Sequence, residues 1–235
     1  MMPVTARDFI FSVIKGDIAA IEKGLTDGMD PNVTDQATPE GDGNTALMWA
    51  ATEGHLEIAQ LLVKSGADIN TTNGAQYSAL MFAVESDRPD IASFLLDQNV
   101  DIQVRNRYGE TPLIIMARQG QTDIVKRLLA MGADIQATNK IGDTALYLAA
   151  ERGHLYTAKA LLAQGATPNT ANLGGWTPLM MAAAQGNLEM MTLLLDQGAD
   201  FRPQNRWGAT ALSEAQKSFR ARQAVDLLRR AGAIE

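Results

Sequence analysis

Leu47, Leu80, Leu113, Leu146, Leu179 and Leu212 recur at one unvarying interval, every thirty-third position, and no other feature of the chain restricts its fold so strongly. Other positions keep the same step. Thr45, Thr111, Thr144, Thr177 and Thr210 stand two residues before the leucine, with Ser78 in the remaining slot. Gly43, Gly109, Gly142, Gly175 and Gly208 stand four before it, and Asn73, Asn106, Asn139, Asn172 and Asn205 seven before it. A fixed period of this length is the signature of stacked supersecondary units, each unable to bury its apolar face alone. It also settles the nature of "GGWTPLMMAAAQGN", Gly174 to Asn187. A phosphate-cradling loop ahead of a helix occurs once and carries a lysine in the phosphate-loop pattern. This loop recurs, and no such lysine follows it.

Each unit follows from its residues. The Thr hydroxyl is a helix N-cap, and Pro112 or Pro178 beside it suits the first helical position, where no amide donor is needed. Ala50, Ala83, Ala149 and Ala182 let neighbouring helices approach closely, while the periodic leucines supply an apolar stripe. Gly54, Gly120, Gly153 and Gly186 allow the positive-φ turn that ends the first helix. A second amphipathic segment follows, as in "HLEIAQLLVKSGADIN" and "QTDIVKRLLAMGADIQ", and Gly66, Gly132, Gly165 and Gly198 repeat the stop signal.

On these motifs the chain resembles the ankyrin-repeat family: "GETPLIIMARQGQTDIVKRLLAMGADIQ" and "GNTALMWAATEGHLEIAQLLVKSGADIN" carry the glycines, Thr-Pro-Leu, alanines, Leu-Leu and Gly-Ala-Asp in order. The resemblance covers nearly the whole chain. It implies an all-α fold, a solenoid of stacked helix-turn-helix units with protruding β-turn or β-hairpin loops. One domain is expected over residues 1–235, with units near 1–39, 40–72, 73–105, 106–138, 139–171, 172–204 and 205–235.

Departures from the pattern are informative. The position after the leucine, usually His in this family, holds Met48, Met81, Ile114, Tyr147, Met180 and Ser213, and packing by flexible Met is the expected substitute. Five residues are inserted within "VTDQATPEGDGN", so the first inter-unit loop, Thr34–Asp42, is expected to be longer, acidic and mobile. The third unit has Gln76, Asp87 and Asn99 at glycine positions and Pro89 opening its second helix, which makes it the expected weak link. The Arg-rich last helix reads as a polar C-terminal cap.

Charge is uneven within the net −7: residues 1–100 hold 5 Lys+Arg against 15 Asp+Glu, and residues 101–235 hold 15 against 12. With a pI near 4.9, the Arg cluster of the last unit is opposed by an acidic N-terminal part, which argues against a nucleic-acid partner. There is no cysteine, so disulfides and thiolate metal sites are excluded. The start lacks a long apolar h-region, and runs such as "LMMAAA" fall below the roughly 18 residues that a membrane span needs. A soluble, unprocessed, cytoplasmic monomer is expected.

Chemistry is sparse. His55 and His154, the two histidines, lie three units apart at a Gly-His position that the family uses structurally, and they cannot share a metal. The carboxylates Asp68, Asp101, Asp134 and Asp200 recur with the repeat, and no nucleophile, base and orienter set is found. No cofactor or metal is expected, and the chain reads as a non-enzymatic interaction module: an adaptor, inhibitor or scaffold.

In the family, partners lie against the loop tips and the concave face of the first helices. By offset these positions carry Arg107, Tyr108, Arg118, Ile141, Arg152, Leu173, Trp176, Arg206 and Trp207, mainly in the last four units. No charged residue occurs from Ala160 to Leu188, so the surroundings of Trp176 desolvate at little cost. Aromatics, Arg and depleted charge are the composition of an interface centre. Trp49 and Phe82, two residues after the leucine, are expected in the core. The alternative function is small-ligand or anion sensing in the concave groove, with Arg107, Arg118 and Arg152 converging on a negative group.

Overall fold

The computed structural model describes residues 5–35 and 42–233. Its described residues divide into two compact units, Met1–Arg107 and Tyr108–Glu235. The first contains three helix pairs: α1 (Ala6–Lys15) with α2 (Ile18–Thr26), α3 (Ala46–Glu53) with α4 (Leu56–Lys64), and α5 (Ala79–Glu85) with α6 (Pro89–Leu96). The second contains four: α7 (Pro112–Gln119) with α8 (Thr122–Ala130), α9 (Ala145–Glu151) with α10 (Leu155–Ala163), α11 (Pro178–Ala184) with α12 (Leu188–Asp196), and α13 (Ala211–Lys217) with α14 (Ala221–Arg230). Within each unit the pairs stack in chain order. Helices α1, α3 and α5 form one layer of the first unit, and α7, α9, α11 and α13 form the corresponding layer of the second.

The first helices start where the spacing places them. Thr45, Ser78, Thr111, Thr144, Thr177 and Thr210 have extended backbone, and each hydroxyl accepts from the N–H three residues on at 3.1–3.4 Å. One orphan amide per helix is thereby satisfied, an arrangement that contributes about 1 kcal/mol each. The periodic leucines follow directly and are buried: Leu47, Leu80, Leu113, Leu146 and Leu179 are at most 1% exposed. Each contributes about 1.5–3 kcal/mol by leaving water. Alanines at Ala50, Ala83, Ala149 and Ala182 are fully buried between them, because a longer side chain there would push successive first helices apart. Met48, Met81 and Met180 are likewise at most 1% exposed, so methionine does pack at the position where the family has histidine.

The loops do not form the expected β-hairpins. Among the described residues there is no β-strand, only the isolated antiparallel bridges Thr34 with Thr45, Thr72 with Ser78, and Thr138 with Thr144. The reason lies in the recurring asparagine. Asn139 accepts at Oδ1 from the Ile141 and Asp143 amides, at 3.0 and 2.9 Å, while its own N–H donates to the Asp143 carbonyl and its carbonyl accepts from Gly142. Two side-chain and two backbone bonds close five residues onto one asparagine, which leaves no length for a ladder. Asn172 and Asn205 close their loops in the same way. Gly142 is required where it stands: its φ is +84°, and a Cβ would lie 2.7 Å from the Leu173 amide nitrogen of the next loop.

Gln76, Asp87 and Asn99 take up the left-handed conformation of the glycines they replace, with φ of 62°, 54° and 57°. The third helix pair is therefore built on three strained residues. Residues 36–41 of the inserted acidic loop lie outside the described residues; its flanks are joined by Asp35 and Asn44, which exchange bonds at 2.9 and 3.0 Å. Trp49 and Phe82 are half-buried rather than core. Trp49 donates its indole N–H to Asp35 at 3.1 Å, and Phe82 meets the Tyr77 ring at 5.5 Å. The same offset holds core residues in the second unit, where Ile115 and Leu148 are 0% and 5% exposed, so the position itself is not off the core; the larger rings of Trp49 and Phe82 are accommodated only in part.

Candidate functional site

Successive loops of the second unit are joined edge to edge by single backbone bonds. Lys140 N–H donates to the Tyr108 carbonyl, Leu173 N–H to Ile141, and Arg206 N–H to Gly174, at 2.9–3.0 Å. Side chains at the tips of a continuous row of loops are thereby held beside one another. Four of them are large, apolar and open to solvent: Tyr108 is 49% exposed, Ile141 61%, Leu173 58% and Trp207 74%. Three further exposed rings lie outside the row: Phe11 beneath Lys15, Tyr156 beneath Lys159 and Phe219 beneath Arg220, at 5.2–5.8 Å.

Trp176 is half-buried at the base of this row. A Cβ placed on Gly174 would lie 3.1 Å from Trp176 Cδ1 and 3.7 Å from Trp207 Cζ3, so both indoles flank the same bare glycine. Gly174 is not needed for its backbone; it makes room for two tryptophans. The slot that Trp176 fills has a structural task in other repeats. Asn73 donates from Nδ2 to Asn44 Oδ1 at 2.7 Å, and Asn172 donates from Nδ2 to Asp143 Oδ1 at 2.8 Å, each across 29 residues. By the same offset Asn205 should reach residue 176, where an indole offers no acceptor. Asn205 is 6% exposed, and its Nδ2 is the buried side-chain polar atom left without a partner among the described residues.

The remaining sequence candidates divide. Arg206 is exposed beside Trp207 and joins the row. Arg118 is half-buried, and its guanidinium lies 2.5 Å from the carboxylate of Glu110, which is 4% exposed, so its charge is already met within the unit. Arg152 is exposed and lies 3.5 Å from Glu151. Arg107 closes the first unit, where its N–H donates to the Ala75 carbonyl. Both arginines of the second unit proposed for an anion groove thus already face carboxylates. An open groove of about 870 Å³ at the last repeat is lined by Phe201, Arg202 and Leu212. Its Arg202 is held bidentately by Asp200 at 2.9 and 3.0 Å, and this hydrogen bonding lowers the Asp200 pKa below its usual range.

The histidines are staples between repeats. His55 Nε2 bonds the Ile14 carbonyl at 3.3 Å and His154 Nε2 the Arg118 carbonyl at 3.0 Å, each satisfying a carbonyl at the end of the preceding first helix. Tyr147 takes the family's histidine position in another way. It is 6% exposed, and its pKa is raised by burial and then by the nearby Asp143 and Glu151 carboxylates. Sequence reasoning missed this asparagine and carboxylate lattice. Its signal lay in a spacing: Asn44 and Asp143 stand 29 residues before Asn73 and Asn172 respectively. Among the described residues no group of three or more His, Asp or Glu is placed to hold a metal ion, and no helix is long and apolar enough to cross a membrane.

Comparison with known proteins agrees with this architecture. The human ASB11 ankyrin repeat domain superposes with a TM-score of 0.82 over 97% of this chain and 99% of that chain, at 26% identity. The acyl-CoA-binding domain-containing protein 6 homolog of Dictyostelium discoideum is 34% identical over 65 residues. That stretch is 28% of this chain and spans only 21% of the Dictyostelium protein. The family model "Ankyrin repeats (3 copies)" matches three times, at residues 9–106, 99–172 and 161–234. With repeats matched from end to end, capped by Thr and Ser hydroxyls and stapled by histidine, the chain belongs to the ankyrin-repeat family.

Proposed function

We propose that this chain is a non-enzymatic scaffold that binds another protein through the loop row of residues 108–235. Tyr108, Ile141, Leu173, Trp176, Arg206 and Trp207 form the contact surface, with Arg107 at its edge in sequence. One observation carries the reading: four large apolar side chains, 49–74% exposed, occupy adjacent loops that backbone bonds hold in register. Solvated apolar groups fixed beside one another form a surface from which water is readily displaced, and Trp, Tyr and Arg are the residue types that dominate binding energy when it is. An adaptor, inhibitor or scaffold uses such a surface without chemistry of its own.

The test is affinity capture on the immobilised full chain and on a variant carrying Tyr108→Ser, Ile141→Ser, Leu173→Ser and Trp207→Ser, with mass spectrometry of the retained proteins. Because these side chains are exposed, each substitution should change stability by no more than about 0.5 kcal/mol, and circular dichroism checks that the helices persist. The reading requires proteins held by the native chain and lost from the variant. An identical set on both would overturn it.

A further inference from the structure

The loop row also carries information about what it binds. Lys140 and Arg206 are its exposed charged residues in the second unit, and neither makes an ion pair among the described residues. The two carboxylates of the same loops are withdrawn: Glu110 is 4% exposed against Arg118, and Asp143, also 4% exposed, accepts from Asn172. A chain of net charge −7 thus presents cations alone between its exposed apolar side chains. Trp176 adds a second observation. At the equivalent slot an acceptor such as Asp143 would satisfy the next asparagine, yet here an indole leaves the buried Asn205 Nδ2 without a partner. A repeat that forgoes an internal hydrogen bond to place an aromatic beside Trp207 is shaped for contact rather than for stability.

We infer that the row docks an extended acidic segment of a partner protein, its carboxylates meeting Lys140 and Arg206 and its apolar side chains meeting Leu173, Ile141 and the Trp176–Trp207 pair. This rests on the loop-row reading above and specifies its ligand. Helix layers stack at about 8–10 Å, so four adjacent loops span about 24–30 Å. Eight or nine residues of extended chain cover that length at about 3.3 Å each. Charge complementarity selects the acidic peptide, since buried apolar contact gives affinity while unpaired cations at the rim steer and discriminate. A nucleic acid is the less suited anion: two cations give little counterion release, and aliphatic tips such as Ile141 and Leu173 offer no stacking face.

The experiment selects a phage-displayed library of random 12-residue peptides on the full chain, then measures the enriched peptides by fluorescence polarisation. Enriched sequences should combine Asp or Glu with aromatic or aliphatic residues. Trp207→Ala should weaken them at least tenfold, and Lys140→Glu with Arg206→Glu should weaken them at least tenfold and shift selection toward Lys- and Arg-bearing peptides. Peptides that depend on Trp207 but show no acidic bias and no response to charge reversal overturn the inference while leaving the loop row as the docking surface. Peptides indifferent to both substitutions overturn the loop row as well. Binding of a 12-residue oligothymidylate as tight as that of the best peptide overturns the peptide assignment.

Discussion

Replacing Trp176 with Asp should leave the protein more stable than replacing it with Ala, by about 1.5 kcal/mol, the low end of what a hydrogen bond to an ionised acceptor contributes. Both substitutions delete the same indole contacts against Gly174, so the packing loss is common to the two variants and their difference isolates the new carboxylate. An Asp at this position is placed as Asp143 is, and Asp143 receives the Asn172 Nδ2 at 2.8 Å. The Asn205 Nδ2, now buried without an acceptor, would gain one. Such a bond is worth about 1.5–3 kcal/mol, and relief of a stranded buried donor is part of that gain. Bringing a carboxylate into the site costs something in return, which is why the lower end is expected. The slot tolerates the group, since Asp143 is itself only 4% exposed. For a chain of this size about 1.5 kcal/mol corresponds to about 3–6 °C in Tm. Thermal and urea unfolding followed by circular dichroism at pH 7 measure it, with midpoints compared directly because stacked repeats need not unfold in one step. An Asp variant no more stable than the Ala variant would refute the reasoning. Asn205 would then have a satisfactory partner without residue 176, and Trp176 would no longer mark a place where the scaffold forgoes stability.

Two further outcomes follow from strained or buried groups. Gln76→Gly should stabilise by about 1 kcal/mol, and Asp87→Gly and Asn99→Gly by less, because all three hold a left-handed backbone that costs a longer side chain more than glycine, Gln most of all; urea midpoints that fall on substitution would contradict this. Tyr147 has a raised native pKa from burial and the Asp143 and Glu151 carboxylates, so its neutral phenol favours the folded state. That contribution is complete below the unfolded tyrosine value of about 10 and is lost as pH climbs from there toward the native pKa, at up to about 1.4 kcal/mol per pH unit. Between pH 9.5 and 11.5 the native chain should therefore lose stability more steeply than Tyr147→Phe, and parallel pH profiles would show that the phenol is not held neutral.

The periodic residues determined most of this fold without help. A leucine at one fixed interval, a capping hydroxyl two before it and an asparagine seven before it act through contacts within a few residues or within the next repeat, so local chemistry fixed the helix starts, the leucine core and the loop positions. The candidate row was legible for the same reason: Tyr108, Ile141, Leu173 and Trp207 stand at loop offsets whose neighbours are all local. What the offsets could not decide was the direction of a side chain or its partner across the stack. Trp49 and Phe82 are half-buried although Ile115 and Leu148 at the same offset are core, because how much of a large ring is covered depends on its neighbours across the stack. The β-hairpins failed to form because one asparagine, through its side chain and its own backbone, closes the loop within five residues. Arg118 is engaged by Glu110 because that carboxylate is buried and needs a cation, which no spacing rule announces. The unpartnered amide of Asn205 exists only as a relation between two repeats: its sequence signal is a tryptophan at position 176, and its meaning appears once stacking brings that slot over the asparagine of the next loop.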